Sequence, residues 1–217
     1  MHRLLAGLTP NCNNYNIVGC SQEVVTIRAL EERILKEGRV LPGEVLKVGS
    51  FLNQQIDTAL LTDMGKEIAR LFGDSGVTKI LTIESSGIAI AVAAGCALGV
   101  PVVFAKKHAS NNMSGDVYTS KVFSYTHQKT FDVVVSAEYL RPDDNILVVD
   151  DFLAKGGALN GLFDIIGQSG AKLAGAAIAI EKGFQGGGDA LRAKGIRVES
   201  LAIIDSMTDT SLTFREQ

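Results

Sequence analysis

The chain has 217 residues, 46% hydrophobic and 21% charged, which suits one α/β domain with a sizeable core and little beyond it. A net charge of −3 without a basic block leaves no footprint for nucleic acid, and no apolar run is long enough to span a bilayer. Cys12, Cys20 and Cys96 form no CxxC pair and no metal-ligand spacing, and their odd count fits a reduced, cytoplasmic interior.

Residues 1–26 carry Pro10, Asn11, Asn13, Asn14 and Asn16 and two of the cysteines, and do not read as a signal peptide. They are expected to be a disordered, dispensable extension, with the folded domain over residues 27–217. Helical periodicity starts near Ile27, with Leu30, Ile34 and Leu35 on one face and Gly38 as the C-terminal cap. Residues 45–55 are too irregular for a helix or a strand and read as a hood outside the main sheet. Asp57 caps a helix whose apolar face is Leu60, Leu61, Met64, Ile68, Leu71 and Phe72.

Residues 79–83 form the first core strand, ending in Glu84-Ser85-Ser86-Gly87 before an apolar helix. The amides and hydroxyls of Ser85, Ser86 and Gly87 suit an anionic group. A second buried strand, residues 101–105, delivers Lys106, Lys107 and His108. The two lysines suit a diphosphate, with a solvated charged turn as the plainer alternative, and His108 reads as structural. Residues 109–129 are polar, with weak alternation, and are a candidate lid that excludes water. Residues 133–135 are a further short strand, and residues 141–144 turn into the stretch that organises the chain.

That stretch is ILVVDDFLAKGGALNG, residues 146–161. Ile146-Leu147-Val148-Val149 is a buried parallel strand. Asp150 and Asp151 follow, then the turn Ala154-Lys155-Gly156-Gly157-Ala158, then an amphipathic helix. Glycines admit close backbone approach, and the free amides of a first helical turn favour a phosphate. The two carboxylates can accept from paired hydroxyls, as on a ribose; the plainer alternative is a surface turn with two solvated aspartates. Residues 173–180 fit strand or helix alone, and the α/β rhythm favours strand. Residues 186–188 read as a loose glycine turn, not a dinucleotide fingerprint, followed by a short helix over 190–194, a last strand over 198–204 and a polar tail.

Strands alternating with helices, with polar turns at the strands' carboxyl ends, describe a doubly wound, mainly parallel sheet with its site along one edge and a small hood. The four-part order of the organising stretch resembles the signature of type I phosphoribosyltransferases, which bind phosphoribosyl diphosphate (PRPP). A ligand with a phosphate, a ribose and a diphosphate would engage all three anion sites. From residue 27 onward the chain is similar to the bacterial xanthine phosphoribosyltransferases in VLKVGSFLNQQID, TIESSGIA, GVPVVFAKKH, VVDDFLA and IEKGFQ.

The resemblance implies that Ala154, Lys155, Gly156, Gly157 and Ala158 bind the 5-phosphate and that Leu46, Asn53 and Lys182 contact the purine. Lys182, with three donors and no acceptor, suits a 6-carbonyl, and Asn53, which donates and accepts, suits the second carbonyl of xanthine. The resemblance further implies transfer from PRPP to xanthine and a homodimer; the mechanism expected from these roles uses Mg²⁺ carried with PRPP, helped by Lys106 or Lys107, and composition points to no nucleic-acid or membrane partner. Asp150 and Asp151 would hold the ribose and stabilise the charge that develops on it. One departure stands out: the family often has Asn-Gly-Gln where this chain has Lys155-Gly156-Gly157. The rival readings are a guanine, hypoxanthine or adenine phosphoribosyltransferase and a non-catalytic PRPP-sensing regulator, for which no DNA-binding region is visible.

Overall fold

Apolar β-branched runs alternating with amphipathic stretches build the expected mainly parallel sheet with a packed layer on each face. The computed structural model describes residues 21–107, 115–124 and 129–216, and the elements below are those of the described residues. Helix α1 spans Ser21–Glu37. It starts ahead of Ile27, so residues 21–26, assigned to the extension, are helical; residues 1–20, with Cys12 and Cys20, lie outside the described residues. Leu30 and Ile34 are buried, but Leu35, grouped with them by periodicity, is 63% exposed. It stands about 100° round the helix from Ile34, off the buried stripe.

The hood is a short antiparallel pair, β1 (Arg39–Leu41) and β2 (Val45–Lys47), followed by a π turn at Gly49–Asn53 that buries Phe51 and Leu52. Helix α2 (Thr58–Phe72) starts where the Asp57 carboxylate accepts from the Ala59 and Leu60 amides, each at 3.1 Å. Asp57 also accepts from Arg33 at 2.8 Å, tying α1 to α2.

Strand β3 (Lys79–Ile83), helix α3 (Gly87–Leu98) and strand β4 (Val102–Ala105) come next. Strands β5 (Val117–Ser124) and β6 (Lys129–Ser136) pair antiparallel. The rest is β7 (Asn145–Leu153), α4 (Gly157–Ser169), β8 (Lys172–Lys182), α5 (Gly187–Ala193), β9 (Val198–Met207) and β10 (Leu212–Phe214). The main sheet runs β10-β9-β8-β7-β3-β4, with β10 antiparallel to β9 and the other neighbours parallel.

Side chains of β7 alternate between the two layers. Leu147 and Val149 pack with α1, the hood, α2 and α3, whereas Ile146 and Val148 pack with α4 and the β5–β6 hairpin. The open question at residues 173–180 resolves as strand, and the tail contains β10. Part of the polar stretch 109–129 is not loop: residues 117–124 pair with β6, and Ser120 and Val122 are buried. His108 and the remaining lid candidates, residues 109–114 and 125–128, lie outside the described residues. No helix of the described residues is long and apolar enough to cross a membrane.

Candidate active site

Four consecutive parallel strands, β8, β7, β3 and β4, bring the candidate residues to one edge of the sheet. The acidic pair lies inside β7, which runs on to Leu153 instead of stopping at Val149. Asp150 and Asp151 are both buried, 5% and 8% exposed. The Asp150 carboxylate accepts the Asp151 amide at 2.9 Å. Burial, and then the charge of Asp151, push the Asp150 carboxyl well above the usual range, while the Lys107 ammonium acts the other way. Asp151 accepts from the hood residue Asn53 at 3.5 Å.

Residues 154–158 form the turn from β7 into α4. Gly156 has φ +79°, a left-handed conformation that favours glycine, and caps α4 with no side-chain hydrogen bond to the first turn. Its carbonyl accepts from the Asn160 amide and side chain at 3.0 and 2.8 Å, which fixes the turn. The first amides of α4 are thereby presented as an anion site. The turn is backed by the run of glycines thought loose from sequence. The Gly187 amide donates to the Ala154 carbonyl at 3.1 Å, and a Cβ on Gly187 would run into that oxygen. Helix α5 accordingly starts at Gly187, not at Ala190.

The second candidate turn, Ser85-Ser86-Gly87, joins β3 to α3, and its Glu84–Ser85 peptide is cis. Glu84 accepts the Lys107 amide at 2.6 Å, holding the end of β4 to the end of β3. The Lys107 ammonium sits 5.8 Å from the Phe131 ring, and the Lys106 backbone bridges to Val134. Thr82, at the root of this turn, has a buried hydroxyl without a hydrogen-bond partner among the described residues.

On the base side, Leu46 is buried in the core under the hood, and Asn53 is exposed at its rim. Lys182 closes β8. Its Nζ donates to the Glu44 carbonyl at 2.6 Å and lies 5.9 Å from the Phe152 ring, and burial lowers its pKa against an opposing effect of Glu44. The sequence alone gives no site role to Glu44, Gln185 or Phe152, and reads Gly187 only as part of a loose turn. The first two act across more than a hundred positions, and Phe152 reads as one more strand residue.

Residues 49–207 match the family model of the phosphoribosyl transferase domain. The chain is 55% identical over 187 residues to the xanthine phosphoribosyltransferase of Ruminiclostridium cellulolyticum, covering 86% of this chain and 98% of that protein. It is 52% identical over 191 residues to the xanthine phosphoribosyltransferase of Lachnoclostridium phytofermentans, covering 87% and 98%. The fold is that of adenine phosphoribosyltransferase from Rhodothermus marinus, with a TM-score of 0.68 at 18% identity over 83% of this chain and 99% of that one. The chain belongs to the phosphoribosyl transferase domain family and, within it, to the xanthine phosphoribosyltransferases.

Proposed function

We propose that the chain transfers the 5-phosphoribosyl group of PRPP to xanthine, giving xanthosine 5′-monophosphate and diphosphate. The observation that carries this reading is the order of groups along one sheet edge. Lys182 ends β8, Asp150 and Asp151 lie within the last residues of β7 with the turn Ala154–Ala158 after it, Ser85-Ser86-Gly87 follow β3, and Lys106-Lys107 follow β4. The first turn of α4, with Ala154–Ala158, takes the 5-phosphate through backbone amides. Asp150 and Asp151 hold the ribose hydroxyls and stabilise the positive charge that develops at the anomeric carbon. Ser85, Ser86, Gly87 and the two lysines receive the diphosphate as its bond to that carbon breaks. A xanthine ring nitrogen forms the new bond to the anomeric carbon as the bond to diphosphate breaks, and the proton it loses passes to water. Lys182 and Asn53 read the carbonyls of the base, with Leu46 beneath.

The donor set fits Mg²⁺ arriving with PRPP. Among the described residues no three His, Cys, Asp or Glu side chains are grouped to hold a metal. Mg²⁺ characteristically takes one or two carboxylates together with phosphate oxygens, and Asp150 and Asp151 are the hard oxygen donors beside the anion turns. When bound, the ion neutralises charge on the departing diphosphate. The cytoplasm is the compartment we assign, supported by Cys96, which is exposed and makes no disulfide among the described residues. A C₂ homodimer is the assembly we assign, as the commonest closed form.

The test is a steady-state assay with PRPP and Mg²⁺, offering xanthine, guanine, hypoxanthine and adenine separately, with Lys182→Ala beside the wild type. A preference for xanthine that the variant loses is expected. A preference for adenine would sink the roles of Lys182 and Asn53. Binding of PRPP without turnover of any base would replace the enzyme with a regulator.

A further inference from the structure

Two contacts between hood and sheet meet at Glu44, a residue in the turn between β1 and β2. Its backbone carbonyl accepts from Lys182 Nζ at 2.6 Å, and its carboxylate accepts from Gln185 Nε2 at 2.5 Å. Glu44 has φ +60°, a left-handed conformation that non-glycine residues keep only where surrounding contacts impose it. Gln185 stands in the turn directly after β8, so both residues that grip Glu44 leave from the same strand end. The other polar tie from the hood to the site, Asn53 to Asp151, is much longer at 3.5 Å.

An ammonium group has three donors and no preferred acceptor of its own. In Lys182 one donor is committed to the Glu44 carbonyl, and the Phe152 ring flanks the group at 5.9 Å. The direction of the remaining donors therefore follows the position of the hood turn, and that turn is held by the bond between the Glu44 carboxylate and Gln185.

We propose that Glu44 and Gln185 form a clasp that fixes the hood turn against β8 and so aims Lys182 at the purine. Both are positioning residues for base recognition, and neither touches the reacting atoms. The inference rests on the reading of Lys182 as a base contact.

Two substitutions isolate the clasp. Gln185→Ala removes the donor. Glu44→Gly removes the carboxylate, keeps the carbonyl that holds Lys182 and relieves the left-handed backbone. Each is expected to raise KM for xanthine about three- to tenfold, the net worth of one ordinary solvent-exposed hydrogen bond. KM for PRPP and the melting temperature stay at wild-type values. The double variant is no worse than either single one, as for two partners of one bond. Glu44→Gln still accepts from Gln185 and recovers most of the loss.

Lys182→Ala is measured in the same series. If it raises KM for xanthine while the clasp variants do not, the clasp is overturned and the base contact stands. If Lys182→Ala leaves KM for xanthine unchanged, both fall. A parallel rise of both KM values, or a fall in melting temperature that tracks the kinetic loss, overturns the clasp in favour of a merely structural bond.

Discussion

Asn53 of the hood donates its side-chain amide to the Asp151 carboxylate of β7 at 3.5 Å, joining positions 98 residues apart. The residue proposed to read the base thus touches an acid proposed to hold the ribose, so a charge introduced at position 53 would bear on both roles. Asn53→Ala should raise KM for xanthine about tenfold through loss of one polar contact while sparing PRPP. Asn53→Asp should be worse, lowering kcat/KM for both substrates by about tenfold or more, because it sets two carboxylates side by side. That defect should shrink as pH falls and the pair shares a proton. Steady-state kinetics of both variants over a pH series would decide; equal effects at all pH values would remove the electrostatic account.

Gly187 supports the phosphate turn from behind. Its amide holds the Ala154 carbonyl, and a Cβ there would meet that oxygen as well as the Lys155 carbonyl carbon at 2.8 Å and the Gly156 nitrogen at 2.9 Å. Backbone cannot swing aside as a flexible side chain can, so Gly187→Ala should displace the turn. Small misplacements of binding groups are costly to catalysis, and KM for PRPP should rise about tenfold or more with KM for xanthine within about twofold. A variant that melts lower but keeps its KM for PRPP would show the glycine to be structural only.

What the sequence made legible was local in the chain. The order of apolar run, acids, glycines and helix at residues 146–161 announces a phosphate turn because each part is physically adjacent to the next. The same holds for the Asp57 cap and for Lys182 at a strand end. What it hid was set by distant partners. Lys182 meets Glu44 across 138 positions and Gln185 meets it across 141, and nothing near either residue signals the other. Gly187 looked loose because the backbone it packs against is reached only when β7 and α5 come together. In β5 the buried residues Ser120 and Val122 alternate with the exposed Thr119 and Lys121, but a serine in the buried register blurs the pattern.

At the opposite end of the sheet, Asp144 fastens the start of β7 to β3. Burial pushes its carboxyl up, but the Lys79 ammonium at 2.6 Å and the Arg141 amide at 2.8 Å outweigh this and hold it below the usual range. An acid that titrates lower when folded than when unfolded favours the fold in its ionised form. The contribution is complete above the unfolded value of about 3.9 and is lost as pH falls through the lower folded value. Asp144→Asn should cost about 2 kcal/mol at neutral pH, and the difference from wild type should begin to shrink as pH falls below about 4. Thermal melts across pH 3 to 7 would check this; a constant difference would place the cost in packing instead.

Next to Lys182, Glu181 is fully buried, and its charge is balanced by Arg192, whose two terminal nitrogens donate to it at 2.9 and 2.7 Å, with Ser200 bonding at 2.5 Å. The bond to Glu181 in turn raises the Arg192 pKa. A buried pair adds little over apolar residues of like size, but removing one member strands the other in a medium that cannot solvate it. Arg192→Met should therefore destabilise the fold by about 3–5 kcal/mol, seen as a lower urea midpoint at unchanged slope. Glu181→Leu combined with Arg192→Met should recover most of that loss, less what the unpaired Ser200 hydroxyl costs. Since β8 leads from Glu181 straight to Lys182, the single variant should also raise KM for xanthine, and the double variant should lower it again. A double variant as unstable as the single one would mean that the ion pair specifies the local structure and is not merely tolerated there.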